Sequence, residues 1–176
     1  MFSTIRERLP AEPPAPNATT APFSSMRLCM FLCADRAGRV LLQRRSMKKD
    51  TQPGKWDISI DGHLNCGESV EDALSREAEE ELGIRDARFE RLYSCIIKTD
   101  VERELVFTFR CTWEGKITPH PVEIDEVRFF PPEELESLLG TGYFSQNFEQ
   151  EWRSYRRYIE TESPPPLTGT CIPDRE

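Results

Sequence analysis

A chain of 176 residues is long enough to form one domain with a substantial hydrophobic core. Its formal net charge is -8 and it has no basic stripe, so a nucleic acid polymer is not expected as a partner. No apolar stretch approaches the roughly 20 residues that span a bilayer, so no membrane partner is expected either. The 6 cysteines show no CxxC pair and no zinc-site spacing, which favours a reducing compartment and predicts a cytoplasmic location.

The two ends of the chain differ from its middle in composition. Residues 1–25 and 161–176 are rich in proline and small polar residues, which form cores poorly. We expect a flexible arm and a flexible tail there. The segment between them, 26–160, is predicted to be a single domain.

The first part of that domain reads as strands. Residues 28–34 are an unbroken apolar run, typical of a strand that is buried on both faces. A glycine-containing turn at 35–39 leads into a second strand at 40–42. After a polar loop at 46–54, a short strand is predicted at 55–60.

A helix is predicted next, because Ser69 followed three residues later by Asp72 resembles a capping box. It should run to Leu82 and stop at Gly83. One side carries an apolar stripe, made of Val70, Leu74, Ala78 and Leu82.

Strands at 87–97, 102–113 and 127–130 are predicted to follow. A short helix at 132–139 has a proline at its start and a glycine behind it. A last helix should pack on the body through an apolar stripe, Phe148, Trp152, Tyr155 and Ile159. This mixture predicts an α/β fold in which helices cover a sheet.

Three carboxylates are the most informative feature. Glu77, Glu80 and Glu81 lie three and four residues apart, so they share one helix face beside the apolar stripe. Unit charges about 4 Å apart repel by roughly 4 kcal/mol at a partly screened site. A bound hard cation such as Mg²⁺ would offset this repulsion and leave positions open for substrate phosphates. A solvated acidic helix is the alternative interpretation.

The wider spacing around this cluster resembles the Nudix box at every defined position. The matching residues are Gly62, Glu68, Arg76, Glu77, Glu80, Glu81, Gly83 and Ile84, with a small Ala78 in an aliphatic position. The resemblance implies an α/β/α sandwich with a mixed sheet. It also implies attack by water on a diphosphate linkage in a nucleoside diphosphate derivative or a similar small organic diphosphate.

The resemblance also implies roles for individual residues. Glu77, Glu80 and Glu81 would hold Mg²⁺, with Mn²⁺ possible, together with a backbone carbonyl near 61–62. Glu68 and Arg76 would brace the loop, while Gly62 and Gly83 would serve the backbone where a side chain obstructs the turn. A homodimer is expected by family habit.

The general base is less defined. Glu77 and Glu80 are candidates within the box, and the family also recruits carboxylates from outside it. We favour Glu104 among these, and the other candidates are Glu102, Glu123, Asp125 and Glu126. A solvated surface position is the alternative for each outside residue.

Basic side chains near the predicted loop are candidate substrate contacts. His63, Lys55 and Arg45 are predicted to meet the diphosphate, and Lys48 and Lys49 could also reach it. The alternatives are a histidine that the loop backbone satisfies and a solvated basic loop. Trp56 could stack on a base, although a core position is preferred.

Two other functions stay open. The sequence from Lys55 to Ser69 also resembles isopentenyl-diphosphate isomerase, whose catalytic cysteine directly precedes the Gly-His pair. Asp61 occupies that position here, and Cys66 lies on the other side of His63. A non-catalytic Nudix binding module is the second alternative, although such a domain would normally have lost a metal ligand.

Overall fold

The computed structural model describes residues 26–98 and 103–161. In chain order the described elements are β1 (Met26–Ala34), β2 (Val40–Arg45), β3 (Trp56–Asp57), β4 (Ile60–His63), α1 (Val70–Leu82), β5 (Glu90–Lys98), β6 (Arg103–Thr112), β7 (Ile124–Phe130), α2 (Pro132–Leu138) and α3 (Gln146–Thr161). The predicted arm, 1–25, and the predicted tail, 161–176, lie outside the described residues except for Thr161, which is the last residue of α3. Within the described ranges, no helix has the length and apolar character needed to cross a membrane.

The strands form one mixed sheet in the order β3-β2-β1-β6-β5, with β4 paired to β1 and β7 paired to β2. β1 runs parallel to β6 and antiparallel to β4. Its described side chains from Cys29 to Cys33 are buried on both faces, as predicted, because Met30 and Leu32 pack into one core while Cys29 and Phe31 pack into the other. With α1 on one face and α2 and α3 on the other, the predicted α/β/α sandwich is confirmed.

The single strand predicted at 55–60 is wrong. The segment forms two short strands, because β3 pairs with β2 whereas β4 pairs with β1. β1 and β2 are joined by the predicted turn, but the two strands pair only at Ala34 and Val40, next to that turn. Ser59 lies between them, where its hydroxyl accepts from the Cys33 amide at 2.8 Å and donates to the Leu41 carbonyl at 2.5 Å. One side chain therefore satisfies backbone groups that the diverging strands leave unpaired.

α1 begins and ends where its sequence predicts. The Ser69 hydroxyl accepts a hydrogen bond from the Asp72 amide at 3.1 Å. Gly83 ends the helix in the left-handed conformation, at φ 65°. Ala73, Leu74, Ala78 and Leu82 are buried against the sheet. The packing of these four residues fixes which side of α1 faces the sheet, and so fixes where its acidic residues lie.

α3 covers the opposite face. Phe148 and Trp152 of the predicted stripe are buried, and Tyr155 is partly buried. Ile159 is 41% exposed, so the prediction that it packs on the body is wrong. The inward face also contains the buried Glu151, which accepts a hydrogen bond from the Tyr93 hydroxyl at 2.6 Å.

Candidate active site

A cleft of about 500 Å³ opens beside α1 and β4. Its other walls come from the loop after β2, from Glu123 before β7, and from the first turn of α3. The acidic lining residues are Asp57, Asp61, Glu77, Glu81 and Glu123. The basic ones are Arg45, Lys49, His63 and Arg76. Acidic and basic side chains therefore line the same cleft.

Glu77 lies directly against the backbone of Gly62. A Cβ placed on Gly62 would be 2.1 Å from the Glu77 Cδ, so any other residue would push this carboxylate away. Burial raises the pKa of Glu77, and the Arg76 guanidinium, whose Nη1 lies 2.7 Å from Oε1, opposes that rise. The glycine of the motif thus permits close approach of a carboxylate to the loop.

Glu81 is the more strongly perturbed of the two carboxylates. Burial raises its pKa well above the ordinary value, and the negative charge of Asp61 adds to the effect. The Gln43 side-chain amide donates to Glu81 Oε2 at 2.9 Å. Burial and the neighbouring Asp57 also raise the pKa of Asp61, to about 6. The cleft therefore concentrates negative charge that nearby donors only partly offset.

Glu80 stands apart from these residues. Its side chain is 59% exposed, lies 3.3 Å from Arg76 Nη1, and is absent from the described lining of the cleft. The described residues contain no ready-made set of three His, Cys, Asp or Glu side chains that could hold a metal ion. Two of the three predicted ligands, Glu77 and Glu81, share the cleft, while Glu80 points elsewhere.

Glu68 and Arg76 make the contacts of a brace. Arg76 donates to both Glu68 oxygens, at 2.8 Å and 3.0 Å, and to the His63 carbonyl at 3.1 Å. Glu68 also accepts from the Asn65 amide at 2.8 Å. The hydrogen bonds from Arg76, followed by that from Asn65, lower the pKa of Glu68 to about 2. The pair fixes the loop between β4 and α1.

The predicted substrate contacts divide into two groups. His63 is exposed and lines the cleft. Arg45 also lines it, but donates to the Thr51 carbonyl at 3.1 Å, the Thr51 hydroxyl at 3.0 Å and Asp57 at 3.3 Å. Lys55 is not among the described lining residues, and its ammonium donates to the Gly142 carbonyl. Lys49, which lines the cleft, is paired with Glu123.

The base candidates outside α1 are also separated. Glu123 lines the cleft, whereas Asp125 accepts from the Met47 amide at 3.2 Å and Glu126 pairs with Arg44 at 3.3 Å. Glu102 and the side chain of Glu104 lie outside the described part of the chain. The role of Glu104 as general base stays a prediction.

Several lining residues were not found from the sequence. Gln43 shares a face of β2 with the buried Leu41, so strand alternation could have identified it. Asp57 had no such signal. Its carboxylate accepts from the Ser145 hydroxyl at 2.5 Å, 88 residues away along the chain, and from the Ile58 amide at 2.9 Å. Ser145 in turn accepts from the Phe148 amide at 3.0 Å and caps α3.

The five described cysteines do not line the cleft. The Cys29 thiol is buried and donates to the Gly62 carbonyl at 3.3 Å, and burial raises its pKa to about 12. Cys66 is exposed. No cysteine lines the cleft among the residues that the structure describes. Trp56 is 5% exposed and belongs to the core.

Comparisons with known proteins give one consistent result. The model of the NUDIX domain family matches residues 26–151. An uncharacterised Nudix hydrolase of Yersinia pestis is 38% identical over 109 residues, which cover 62% of this chain and 60% of that protein. An isopentenyl-diphosphate Delta-isomerase of Brevibacterium linens is 35% identical over 133 residues, covering 68% of this chain and 70% of the isomerase.

A solved structure agrees at the level of the fold. The crystal structure of a MutT protein from Methanosarcina mazei superposes with a TM-score of 0.65 at 22% identity. The match covers 81% of this chain and all of that chain.

Proposed function

Since this chain belongs to the Nudix family, we propose that it hydrolyses the diphosphate linkage of a small organic diphosphate with Mg²⁺ as its cofactor. The substrate would be a nucleoside diphosphate derivative or a similar compound, and Mn²⁺ is the alternative ion because both suit carboxylate ligands. Water would attack phosphorus, break the bridging P–O bond and release two phosphate-bearing products.

The observation that carries this proposal is that Glu77 and Glu81 face one cleft. Burial raises the pKa of both carboxylates, and Asp61 adds negative charge beside Glu81. A hard divalent cation with oxygen ligands fits this donor set. Glu77 and Glu81 would hold it, with Glu80 and a backbone carbonyl near 61–62 as further predicted ligands. When bound, the ion would polarise phosphate oxygens and lower the pKa of a bound water.

The basic side chains have a complementary part. Lys49 and His63 line the cleft and can bind oxygens of an anionic substrate, while Arg76 lines it as part of the brace with Glu68. Arg45 contributes positive charge while its own hydrogen bonds hold the loop to Asp57. The contact of Lys55 with Gly142 gives no support to its predicted role in binding.

The base that accepts the water proton must reach the same space. Glu77 meets this condition, and so does Glu123, whose pKa is lowered by its hydrogen bond from Lys49. Glu80 would first have to leave Arg76. Glu104 remains the predicted carboxylate from outside the box.

Isopentenyl-diphosphate isomerisation is the second candidate, because an isomerase is 35% identical to this chain. Against it, Asp61 stands where the isomerase is expected to carry its cysteine, and no thiol lines the described cleft. Conversion of isopentenyl diphosphate to its isomer by the wild-type protein would favour this function.

The deciding experiment for hydrolysis measures Mg²⁺-dependent phosphate release from a panel of organic diphosphates. We expect Glu81→Gln to lower kcat/KM by at least about 100-fold, since even outer partners of metal ligands cost 10- to 100-fold. Glu79→Gln is a matched control, because Glu79 is 51% exposed on the same helix and pairs with Arg85.

Other outcomes would point elsewhere. Equal activity of Glu81→Gln and the wild type would contradict the proposed metal site. Binding without turnover, insensitive to that substitution, would favour a non-catalytic module. Circular dichroism checks that each variant is folded. The expected homodimer is tested separately by light scattering of the eluted protein, and the cytoplasmic location by fractionation of cells.

A further inference from the structure

The walls of the cleft carry information about the substrate beyond its diphosphate. Apart from the imidazole of His63, no aromatic or aliphatic side chain lines the cleft among the described residues. Its neutral lining side chains are Gln43, Thr51, Gln52, Asn65 and Asn147. An apolar group bound here would forgo the roughly 25 cal/mol per Å² that burial against an apolar wall contributes.

Three apolar side chains in β3 or near it in sequence or space, Trp56, Tyr143 and Met47, are not among the described lining residues. Trp56 is 5% exposed and packs edge-on against Phe130, with 4.9 Å between ring centroids. Tyr143 stacks over Trp56 at 6.4 Å with an interplanar angle of 17°. Met47 is 70% exposed, and its sulfur lies over Gly54. The described lining of the cleft therefore has no flat apolar surface for a nucleobase and no apolar wall for a prenyl chain.

Two primary amides lie together at one end of the cleft. The Gln146 backbone amide donates to Gln52 Oε1 at 2.9 Å, which fixes Gln52 beside the first turn of α3. Asn147, the next residue of that turn, is exposed and also lines the cleft. Each amide side chain carries donors and an acceptor, the groups that bind hydroxyls.

We propose that the substrate is the diphosphate ester of a hydroxylated carbon skeleton, such as a sugar or polyol, without a nucleobase. This inference rests on the proposed hydrolysis. Water would form a bond to phosphorus, the bridging P–O bond would break with its electron pair on the leaving phosphate, and one proton would go to solvent. A sugar diphosphate and water thus give a sugar monophosphate and orthophosphate. Asn147 is a specificity residue for the hydroxyls of the skeleton.

Three probes with the same terminal diphosphate test this proposal. They are ribose 5-diphosphate, ADP, in which a base replaces the anomeric hydroxyl of that skeleton, and isopentenyl diphosphate. With Mg²⁺, we expect kcat/KM for ribose 5-diphosphate to exceed that for either other compound by at least about tenfold, because ADP lacks the anomeric hydroxyl and isopentenyl diphosphate has no hydroxyl on its skeleton, and sites that bind hydroxyls discriminate strongly. An equal or higher value for ADP or isopentenyl diphosphate would overturn it.

A matched pair of variants tests the assigned residue. Asn147→Ala should raise KM for ribose 5-diphosphate by about tenfold with little change in kcat, and leave isopentenyl diphosphate, whose skeleton has no hydroxyl, within about twofold. Gln146→Ala is the control, because only the backbone of Gln146 meets Gln52. An unchanged KM in Asn147→Ala would overturn the assignment.

Failure of the proposed hydrolysis has a different signature. In that case none of the three compounds releases phosphate, although the protein is folded and supplied with Mg²⁺ or Mn²⁺. Calorimetric titration of the three compounds still ranks their affinities without turnover. If ADP or isopentenyl diphosphate then bound most tightly, the inferred preference for a hydroxylated skeleton without a base would be wrong, independently of the hydrolysis.

Discussion

Glu81 on α1 is half-buried and Glu151 on α3 is buried, and the two carboxylates lie on opposite faces of the same sheet. Burial raises the pKa of each, and each accepts a hydrogen bond from a neighbouring element, Gln43 at 2.9 Å or Tyr93 at 2.6 Å. By these measures alone, the two would be judged equally suited to chemistry.

Their surroundings separate them. Asp61, Glu77 and Glu123 raise the pKa of Glu81 further, and all four residues line one open cleft. No neighbouring charge contributes to the raised pKa of Glu151. Its side chain is 2% exposed, on the face of α3 that packs against the sheet. A raised pKa thus indicates burial, and only convergence of several carboxylates on an accessible space indicates a ligand.

The largest expected effect is the loss of stability on removing the Phe148 ring, which packs α3 against the sheet. Phe148→Ala should lower the free energy of unfolding by about 3–5 kcal/mol, because Phe148 is fully buried and its loss leaves a cavity. Ile159→Ala, on the exposed end of the same helix, should change it by less than about 0.5 kcal/mol. Urea denaturation measures both, and similar losses would show that the described packing is wrong.

Metal binding should distinguish the two carboxylates directly. At a free Mg²⁺ concentration 100 times its Kd, the wild type should gain about 2.7 kcal/mol of stability. Glu151→Gln should keep this gain, while Glu81→Gln should lose it. Thermal melts with Mg²⁺ and with EDTA give the comparison, and an equal gain in both variants would place the ion elsewhere.

The pH dependence of stability should identify Glu151 as a buried acid without a counter-charge. Because its pKa is raised on folding, the protonated form is the one that folding favours. Its contribution is complete below the ordinary glutamate value and is lost as pH rises through the raised pKa. Glu151→Gln should therefore match the wild type near pH 4 and be more stable by about 1 kcal/mol at pH 8. A difference that does not change with pH would contradict this.

The smallest expected effect concerns the start of α1. Ser69→Ala should cost about 1 kcal/mol, because the Asp72 amide loses its cap. Ser75→Ala removes only an exposed hydroxyl that donates to the Glu71 carbonyl within the helix, and should be nearly neutral. Denaturation curves of equal midpoint for the two variants would argue against the cap.

Local chemistry explains which parts of this molecule were predictable. The cap at Ser69, the stop at Gly83 and the apolar run of β1 depend on neighbours within a few residues, and all three are confirmed. The division of 55–60 into two strands depends on partners far along the chain, so the local pattern gave no sign of it.

The same reasoning applies to the site. The box carboxylates could be named because one helix spaces them. The sequence did not indicate that Arg45 bonds to Thr51 or that Lys55 bonds to Gly142. A basic side chain near a cleft looks the same in the sequence whether it binds substrate or holds a loop. Asn147 was missed since it reaches the cleft from a helix more than 60 residues beyond the box.

The bond between Asp57 and Ser145 limits how this molecule can be re-engineered. It joins the floor of the cleft to the first turn of the far helix. A chimaera that transplants only the loops and helix around the box would leave the Asp57 carboxylate without the Ser145 hydroxyl that donates to it. The smallest exchangeable cassette therefore includes both segments, although they are distant along the chain.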